Sequence, residues 1–268
     1  MKNKIAILGC GWLGFPLAQK LVKEGYDVKG TTTTSGKLEK LEEAGIQSFL
    51  ISLTEEKVTG NTKDFLSNIE TLIIDIPPGL RRNPNEDFVK KMKNFLTEVE
   101  KSDVKNVVYV SSTSVFEGDD TIPVFSESDK PNGSSFKAQQ LIAVEGLWQN
   151  HAAFLSAVVR FGGLVGEDRH PAKYLAGKKN VKNPQAPVNM IAQKDAVELL
   201  LQWVKNPVAG IFHGVYPDHP SREVYYSAKA KEKGLATPHF NTKETSKGKQ
   251  ISSKETSKTL DFVFQHRP

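Results

Sequence analysis

The chain has 268 residues, a formal net charge of +5 and a mean hydropathy of −0.40, which is typical of a globular protein. Its apolar runs fall short of the roughly 20 residues that span a bilayer, so we expect no membrane span. The single cysteine, Cys10, excludes an internal disulfide and a cysteine metal cluster, and it fits a reducing cytoplasm.

Apolar runs and amphipathic stretches alternate along most of the chain. Strands are predicted at 4–9, 26–32, 46–52, 70–77, 106–112, 155–162 and 210–216. Helices are predicted at 12–24, 36–45, 86–101, 135–150, 193–205 and 221–233, and a final apolar stretch lies at 260–264. Strands that alternate with helices predict right-handed crossovers, and hence an α/β fold with a doubly wound parallel sheet.

The alternation loosens after residue 163, in a segment rich in Lys, Gly, Pro and Asn. We therefore predict two domains: a dinucleotide-binding domain of the Rossmann type over 1–163, and a smaller C-terminal substrate lobe over 164–268. Some segments of the lobe are expected to return to the sheet.

The first predicted strand leads directly into a turn with the spacing Gly-x-Gly-x-x-Gly. In this context Gly9 permits the tight turn, Gly11 lets the backbone approach a pyrophosphate, and Gly14 lets the helix pack on the strand. The amides at the start of the helix then face the phosphates. We predict cofactor contacts at Gly9, Gly11, Trp12, Leu13 and Gly14.

The second strand ends in "GTTTTSGK", where an acidic residue for the adenosine ribose is usual. Without a carboxylate there, a 2′-phosphate can lie at this stretch, with contacts predicted at Thr31, Thr32, Ser35 and Lys37. This favours NADP as the cofactor. NAD stays the alternative because the usual arginine is also absent, and threonines are common in strands for their β-propensity.

The fourth strand is followed by two prolines. Pro77 and Pro78 end that strand, and together with Ile76 they are predicted to form a wall of the cofactor site. Asp75 is placed inside the strand, where we expect it to bond backbone amides and take no part in a reaction.

Several stretches together resemble the extended short-chain dehydrogenases/reductases, the NAD(P)-dependent epimerase/dehydratase group. They are "AILGCGWLG", "IIDIPPG", "VVYVSSTSVFEG" and "VVRFGGLVGEDRHP", and the resemblance covers nearly the whole chain. The spacing is most similar to an atypical bacterial branch of unknown substrate. The resemblance implies further cofactor contacts at Ser111 and Arg160.

Members of that group typically carry a Ser or Thr, a Tyr and a Lys beside the nicotinamide. The serine matches Ser112, but the tyrosine position holds Lys137 and the lysine position holds Leu141. Lys137 is a candidate acid or base, a contact to phosphate or ribose, or an exposed residue at a helix end.

The resemblance also implies functional residues in the lobe. Arg169 is suited to clamp a carboxylate or phosphate, and His170 either exchanges protons near neutral pH or caps a loop. Tyr174 and Asn189 are predicted substrate contacts. Lys178 and Lys249 are further candidates to line the cleft.

Two functions fit these observations. The first is an NADP-dependent epimerase, dehydratase or reductase of the cytoplasm that acts on a small polar substrate such as a sugar nucleotide. The second is a catalytically inactive NADP-binding sensor, which the missing Tyr–Lys pair favours. As partners we expect a small-molecule substrate and a second copy of the chain, in a homodimer. No nucleic acid, membrane or metal ion is expected, because the basic stretch 242–258 lacks aromatics and no histidine pair has metal-ligand spacing.

Overall fold

The computed structural model of the protein describes residues 4–80, 83–149 and 151–268. Its strands are β1 (Lys4–Leu8), β2 (Asp27–Thr32), β3 (Gln47–Leu50), β4 (Ser52–Leu53), β5 (Val58–Thr59), β6 (Thr71–Ile74), β7 (Asn106–Ser112), β8 (Val124–Phe125), β9 (Leu155–Phe161), β10 (Gly163–Val165), β11 (Met190–Ala192), β12 (Gly210–Gly214) and β13 (Gln250–Ile251). Its helices are α1 (Gly14–Lys23), α2 (Leu38–Glu43), α3 (Thr62–Leu66), α4 (Phe88–Val99), α5 (Phe136–Gln149), α6 (Ala172–Leu175), α7 (Gln193–Lys205), α8 (Arg222–Glu232) and α9 (Lys254–Thr259).

Every strand and helix predicted from the periodicity is present, and β7 and α7 have the predicted bounds. The elements that the prediction missed are short, among them α3, α6 and α9, which span one or two helical turns. Such elements offer too few repeats for a periodic pattern to emerge. The apolar stretch 260–264 forms no regular element.

Seven strands form one parallel sheet in the order β12-β9-β7-β6-β1-β2-β3. The chain moves outward from β1 through β2 to β3, and then returns to β6 on the other side of β1. This is the strand order of the Rossmann fold, which confirms the predicted fold class. The reversal of direction opens a crevice at the carboxyl ends of β1 and β6, where such sheets bind ligands.

The sheet is buried because helices cover it. Apolar side chains of β1 and β6 are almost wholly shielded, as expected for parallel strands. Helix α4 turns one apolar face inward through Phe88, Met92, Phe95 and Val99, and the ring of Phe95 lies 6.4 Å from that of Trp148 in α5. These contacts pack α4 against α5.

The chain forms two compact units. The first consists of the chain up to Ser112, Ser135–Arg160 and Val197–Ile211, and it contains most of the large sheet. The second consists of Thr113–Ser134, Phe161–Ala196 and Phe212–Pro268, with two small parallel sheets, β10–β11 and β8–β13. Each unit is thus assembled from three separate stretches of the chain.

Within 4–80, 83–149 and 151–268, each helix is too short or too polar to cross a lipid bilayer.

Candidate functional site

The glycine turn lies between β1 and α1, and the chain's own packing requires two of its glycines. Gly9 has a φ of +105°, and a Cβ there would lie 2.3 Å from the carbonyl oxygen of Asp75. A Cβ on Gly14 would lie 2.1 Å from the carbonyl oxygen of Gly9. Any side chain at either position would therefore force the turn apart.

Gly11 differs from its neighbours because nothing in the protein requires it. A Cβ built on Gly11 meets no atom within 4 Å, and its φ lies outside the left-handed region. The residue is exposed. Its missing side chain leaves open space in front of the turn, which is the space that a diphosphate needs in order to reach the backbone.

The start of α1 takes no cap from its own residues, and the Gly14 N–H donates instead to the Asp75 carboxylate. The N-cap residue is Leu13, whose side chain cannot accept a hydrogen bond, and the first turn of the helix contains no acidic residue. The start of a helix beside an open glycine favours an anion, because its N–H groups and the helix dipole are positive there.

Thr31 holds this turn against β2. Its hydroxyl oxygen accepts a hydrogen bond from the Gly9 N–H at 2.8 Å, and its carbonyl accepts one from the Cys10 N–H, also at 2.8 Å. Thr31 is buried, and so is Thr32, whose hydroxyl oxygen accepts from the Thr34 N–H. The predicted contacts of Thr31 and Thr32 with a 2′-phosphate are therefore corrected: their hydroxyls support the backbone.

The residues that follow Thr32 face solvent instead. Thr33 to Lys37, including the predicted contacts Ser35 and Lys37, are all exposed. A second cation lies nearby that the sequence did not indicate: the ammonium of Lys40 is 4.9 Å from the ring centre of Phe15, the second residue of α1. No periodic or motif signal links Lys40 to the turn.

Asp75 follows β6 directly and reaches the glycine turn. Strand β6 ends at Ile74, so the predicted position of Asp75 inside the strand is wrong by one residue. The expected bond to a backbone amide is present, since the carboxylate accepts from the Gly14 N–H. Burial raises the pKa of Asp75 to about 7, and burial together with the Asp75 charge raises the pKa of Cys10 to about 12.

The segment after Asp75 lies against the same turn. The Cγ2 of Ile76 would be 2.9 Å from a Cβ on Gly9, which places Ile76 in contact with the turn. Pro77 is exposed and Pro78 is half-buried. The structure thus brings together the glycine turn, Thr31, Asp75 and Ile76 at the carboxyl ends of β1, β2 and β6.

Two predicted cofactor contacts turn inward. Arg160 is 1% exposed and forms a forked ion pair with Glu145, with an Nη2 to Oε2 distance of 2.7 Å. The hydroxyl of Ser111 donates to the other oxygen of Glu145 at 2.6 Å. Ser111 and Arg160 are therefore corrected to a structural role, because a buried carboxylate already binds their polar groups.

The catalytic candidates of the first unit lie on β7 and α5. Ser112 is the last residue of β7, and Lys137 is the second residue of α5, and both are half-buried. Leu141, one turn further along α5, is 2% exposed and belongs to the core. Leu141 therefore offers no polar group to a ligand.

His170 belongs to the core of the second unit. It is 6% exposed, its Nδ1 accepts from the Ala172 N–H, and its Nε2 lies 3.2 Å from the hydroxyl of Tyr225. Burial, followed by the charges of Lys233 and Lys229, lowers its pKa to about 4. The expectation that His170 exchanges protons with a substrate is corrected, since the ring is shielded and both nitrogens are engaged.

The substrate contacts predicted in the second unit have different placements. Arg169 is exposed and Tyr174 is 76% exposed. Asn189, in contrast, uses its whole amide internally: its Nδ2 donates to the Lys249 carbonyl at 2.7 Å and its Oδ1 accepts from the Ile251 N–H at 2.8 Å. The prediction for Asn189 is corrected to a bridge between backbone segments.

Lys249 holds the turn that follows Ser112 in the chain. Its Nζ donates to the Thr113 carbonyl at 2.7 Å and to the Phe116 carbonyl. Burial lowers the pKa of Lys249 to about 8. The sequence indicated Lys249 through the family resemblance alone. Its two bonding partners lie 136 and 133 positions earlier in the chain, so no local pattern could indicate these hydrogen bonds.

Comparison with known proteins gives matches to part of the chain and to the whole of it. Residues 4–119 match the family described as the NAD binding domain of 6-phosphogluconate dehydrogenase. Protein YeeZ of Escherichia coli K12 is 30% identical over 268 residues, a match that covers 98% of this chain and 96% of YeeZ. The family match over residues 4–119 supports a nicotinamide cofactor.

Solved structures share the fold at low sequence identity. MoeE5 in complex with UDP-glucuronic acid and NAD has a TM-score of 0.78 at 18% identity, covering 99% of this chain and 95% of MoeE5. UDP-glucuronic acid 4-epimerase from Bacillus cereus, in complex with NAD, has a TM-score of 0.78 at 15% identity, covering 98% and 92%. The predicted resemblance to NAD-dependent epimerases and dehydratases is thus confirmed at the level of the fold.

Proposed function

We propose that this chain, which belongs to the same family as Protein YeeZ of Escherichia coli, is an NADP-binding enzyme that acts on a sugar nucleotide or a similar small polar substrate. The glycine turn holds the diphosphate, and the exposed residues after β2 hold the adenosine 2′-phosphate. The single cysteine fits a cytoplasmic setting for such an enzyme.

The open space in front of Gly11 carries this proposal. Internal packing requires glycine at Gly9 and Gly14, whereas at Gly11 a methyl group would touch nothing in the protein. A glycine that the fold does not need, beside the positive end of a helix, is best explained by a ligand whose anionic group comes close to the backbone.

The stretch after β2 supports NADP over NAD. It contains no carboxylate between Gly30 and Lys37 that would repel a phosphate or bind the ribose hydroxyls. Thr33 and Thr34 present exposed hydroxyl groups, and Lys37 and Lys40 supply cations. A phosphate monoester carries about −1.5 to −2 charges at neutral pH, so these groups favour it.

The chemistry that such a cofactor supplies is hydride transfer. In this chain Ser112 orients the substrate by hydrogen bonding at the end of β7, and Lys137 is the group proposed to move the proton. The sugar-nucleotide assignment rests on the fold shared with MoeE5 and with the Bacillus cereus epimerase.

A second function is favoured by one observation. Leu141 is buried where the epimerase group carries the lysine that lowers the tyrosine pKa, and Lys137 takes the place of the tyrosine. A protein that binds NADP but turns nothing over, and instead senses the cofactor, would tolerate both replacements. Following the nicotinamide absorbance of the NADP-loaded protein with a panel of UDP-sugars separates the two functions.

Titration of the protein with NADPH tests the cofactor site. The wild type is expected to bind NADPH in the micromolar range, and Gly11→Ala should weaken binding at least about tenfold, because its methyl group fills the space in front of the turn. Gly11→Asp should abolish binding, because it adds a charge that repels the diphosphate.

The matched control is Gly146→Ala. Gly146 lies inside α5, and a Cβ there also meets no atom within 4 Å. This variant should bind NADPH as the wild type does. Binding that is equal in Gly11→Ala, Gly11→Asp and the wild type would show that the dinucleotide does not lie at the turn.

A further inference from the structure

An acidic group lies beside the glycine turn, at the first residue of α1. The carboxylate of Asp75 accepts a hydrogen bond from the N–H of Gly14, which is the first residue of α1. Its Oδ2 would lie 3.1 Å from a Cβ on Gly14, so the carboxyl group is held close to the turn. Asp75 directly follows the last residue of β6, at the same edge of the sheet as the turn after β1.

This placement creates a conflict of charge. The positive end of α1 favours one anion, and in the free protein Asp75 supplies it. A diphosphate that enters in front of Gly11 brings further negative charge to the same helix start. Two anions in a partly buried site repel each other by amounts that readily exceed a tenfold change in an equilibrium constant.

We propose that Asp75 takes up a proton from solvent when the dinucleotide binds, so that binding to this chain is linked to pH through this one carboxyl group. The inference rests on the proposed function, since it needs the diphosphate at the turn. Protonation removes the repulsion, and the neutral carboxyl group gains an O–H that can donate to an anionic oxygen.

The surroundings of Asp75 make the neutral form accessible. Burial is the main influence and raises the pKa of Asp75 to about 7, while the Gly14 N–H acts in the opposite direction. Among the described residues, the titratable side chain whose pKa responds to this carboxylate is Cys10, and it stays a neutral thiol because its own pKa is about 12. The basic residues of α1, Lys20 and Lys23, lie in its last turn, at the opposite end of the helix from Gly14.

The sign of the linkage follows from the charges. Above the pKa of the free protein, a proton must be taken up for binding, so affinity falls as pH rises. If the diphosphate raises the pKa by about one further unit, the Kd for the dinucleotide should be roughly five- to tenfold higher at pH 8.5 than at pH 6. About half a proton should be taken up per dinucleotide bound near pH 7.5.

Calorimetric titration with NADPH and with NAD, each in two buffers of different ionisation enthalpy, tests the inference. The 2′-phosphate of NADPH itself titrates near pH 6, with a pKa of about 6, whereas NAD has no such group. The wild type should show the same proton uptake with both ligands above pH 7. Asp75→Asn should bind both ligands with no loss of affinity between pH 7 and pH 8.5, and the surface variant Glu39→Gln should behave as the wild type.

Each outcome decides the matter. Wild-type protein that binds either dinucleotide without proton uptake at pH 7.5 overturns the inference, and this result needs no variant to fold. Equal pH dependence in Asp75→Asn and the wild type overturns it as well. Binding that Gly11→Ala leaves unchanged would instead remove the proposed function, and the role of Asp75 with it.

Discussion

At the scale of single residues, the four consecutive threonines Thr31 to Thr34 have two different environments. Thr31 and Thr32 point into the protein and support the backbone of the glycine turn and of the next turn. Thr33 and Thr34 face solvent beside Lys37. The same side chain is therefore buried or exposed according to whether it lies before or after the end of β2.

Lys37→Glu tests the choice of cofactor at this scale. Reversing the charge of Lys37 should weaken binding of NADPH about five- to tenfold, because the variant repels the 2′-phosphate, and it should leave binding of NADH nearly unchanged. Fluorescence titration of the two reduced cofactors measures the difference.

The control for this variant is Lys23→Glu, at the last residue of α1, which is also exposed. It should alter neither affinity beyond about twofold. An equal loss for NADPH and NADH in Lys37→Glu would contradict a role for Lys37 at the 2′-phosphate.

At the scale of elements, one buried charge pair connects helix α5 with strands β7 and β9 of the sheet. Glu145 of α5 accepts from Ser111 of β7 and from Arg160 of β9. Arg160 and Glu145 are 1% and 2% exposed, so each charge depends on the other for its solvation. The pair fixes α5 along the strand that ends at Ser112.

Arg160→Met should destabilise the protein by about 3–5 kcal/mol, because it leaves the Glu145 carboxylate buried without its partner. The double variant Arg160→Met/Glu145→Leu should recover most of this loss, since no uncompensated charge stays in the core. Urea unfolding followed by circular dichroism measures both. A single variant that loses less than about 1 kcal/mol would show that water or another group satisfies Glu145.

At the scale of the whole molecule, cofactor binding should be visible as stability. A ligand that binds the folded chain alone stabilises it by about 2.7 kcal/mol at a concentration 100 times its Kd. For a chain of this size, that corresponds to a rise in Tm of about 5–10 °C. Thermal unfolding with and without NADPH tests this, and a Tm that rises equally in Gly11→Asp would contradict binding at the turn.

The sequence alone was enough to predict the large sheet and the place of the glycine turn in it. The alternation of apolar runs with amphipathic stretches predicted every strand of the sheet, and the glycine spacing lies between a strand and a helix as expected. Both signals are local, because burial of a strand or helix face repeats within a few residues and a tight turn needs its glycines in sequence.

The direction in which polar side chains point depended on the tertiary structure. Ser111, Arg160, His170 and Asn189 all read as site residues in the sequence, yet each binds a partner inside its own unit. His170 meets Tyr225 across 55 residues of chain, a distance over which no periodic pattern extends.

What the sequence determined by itself was therefore the order of elements and the position of the glycine turn, since these follow from neighbours along the chain. The tertiary structure decided which glycine faces open space, and it decided that Asp75 shares the start of α1 with the proposed ligand site. Both depend on distances between segments that only folding brings together. Burial in the folded protein then raises the pKa of the Asp75 carboxyl group and so changes its charge.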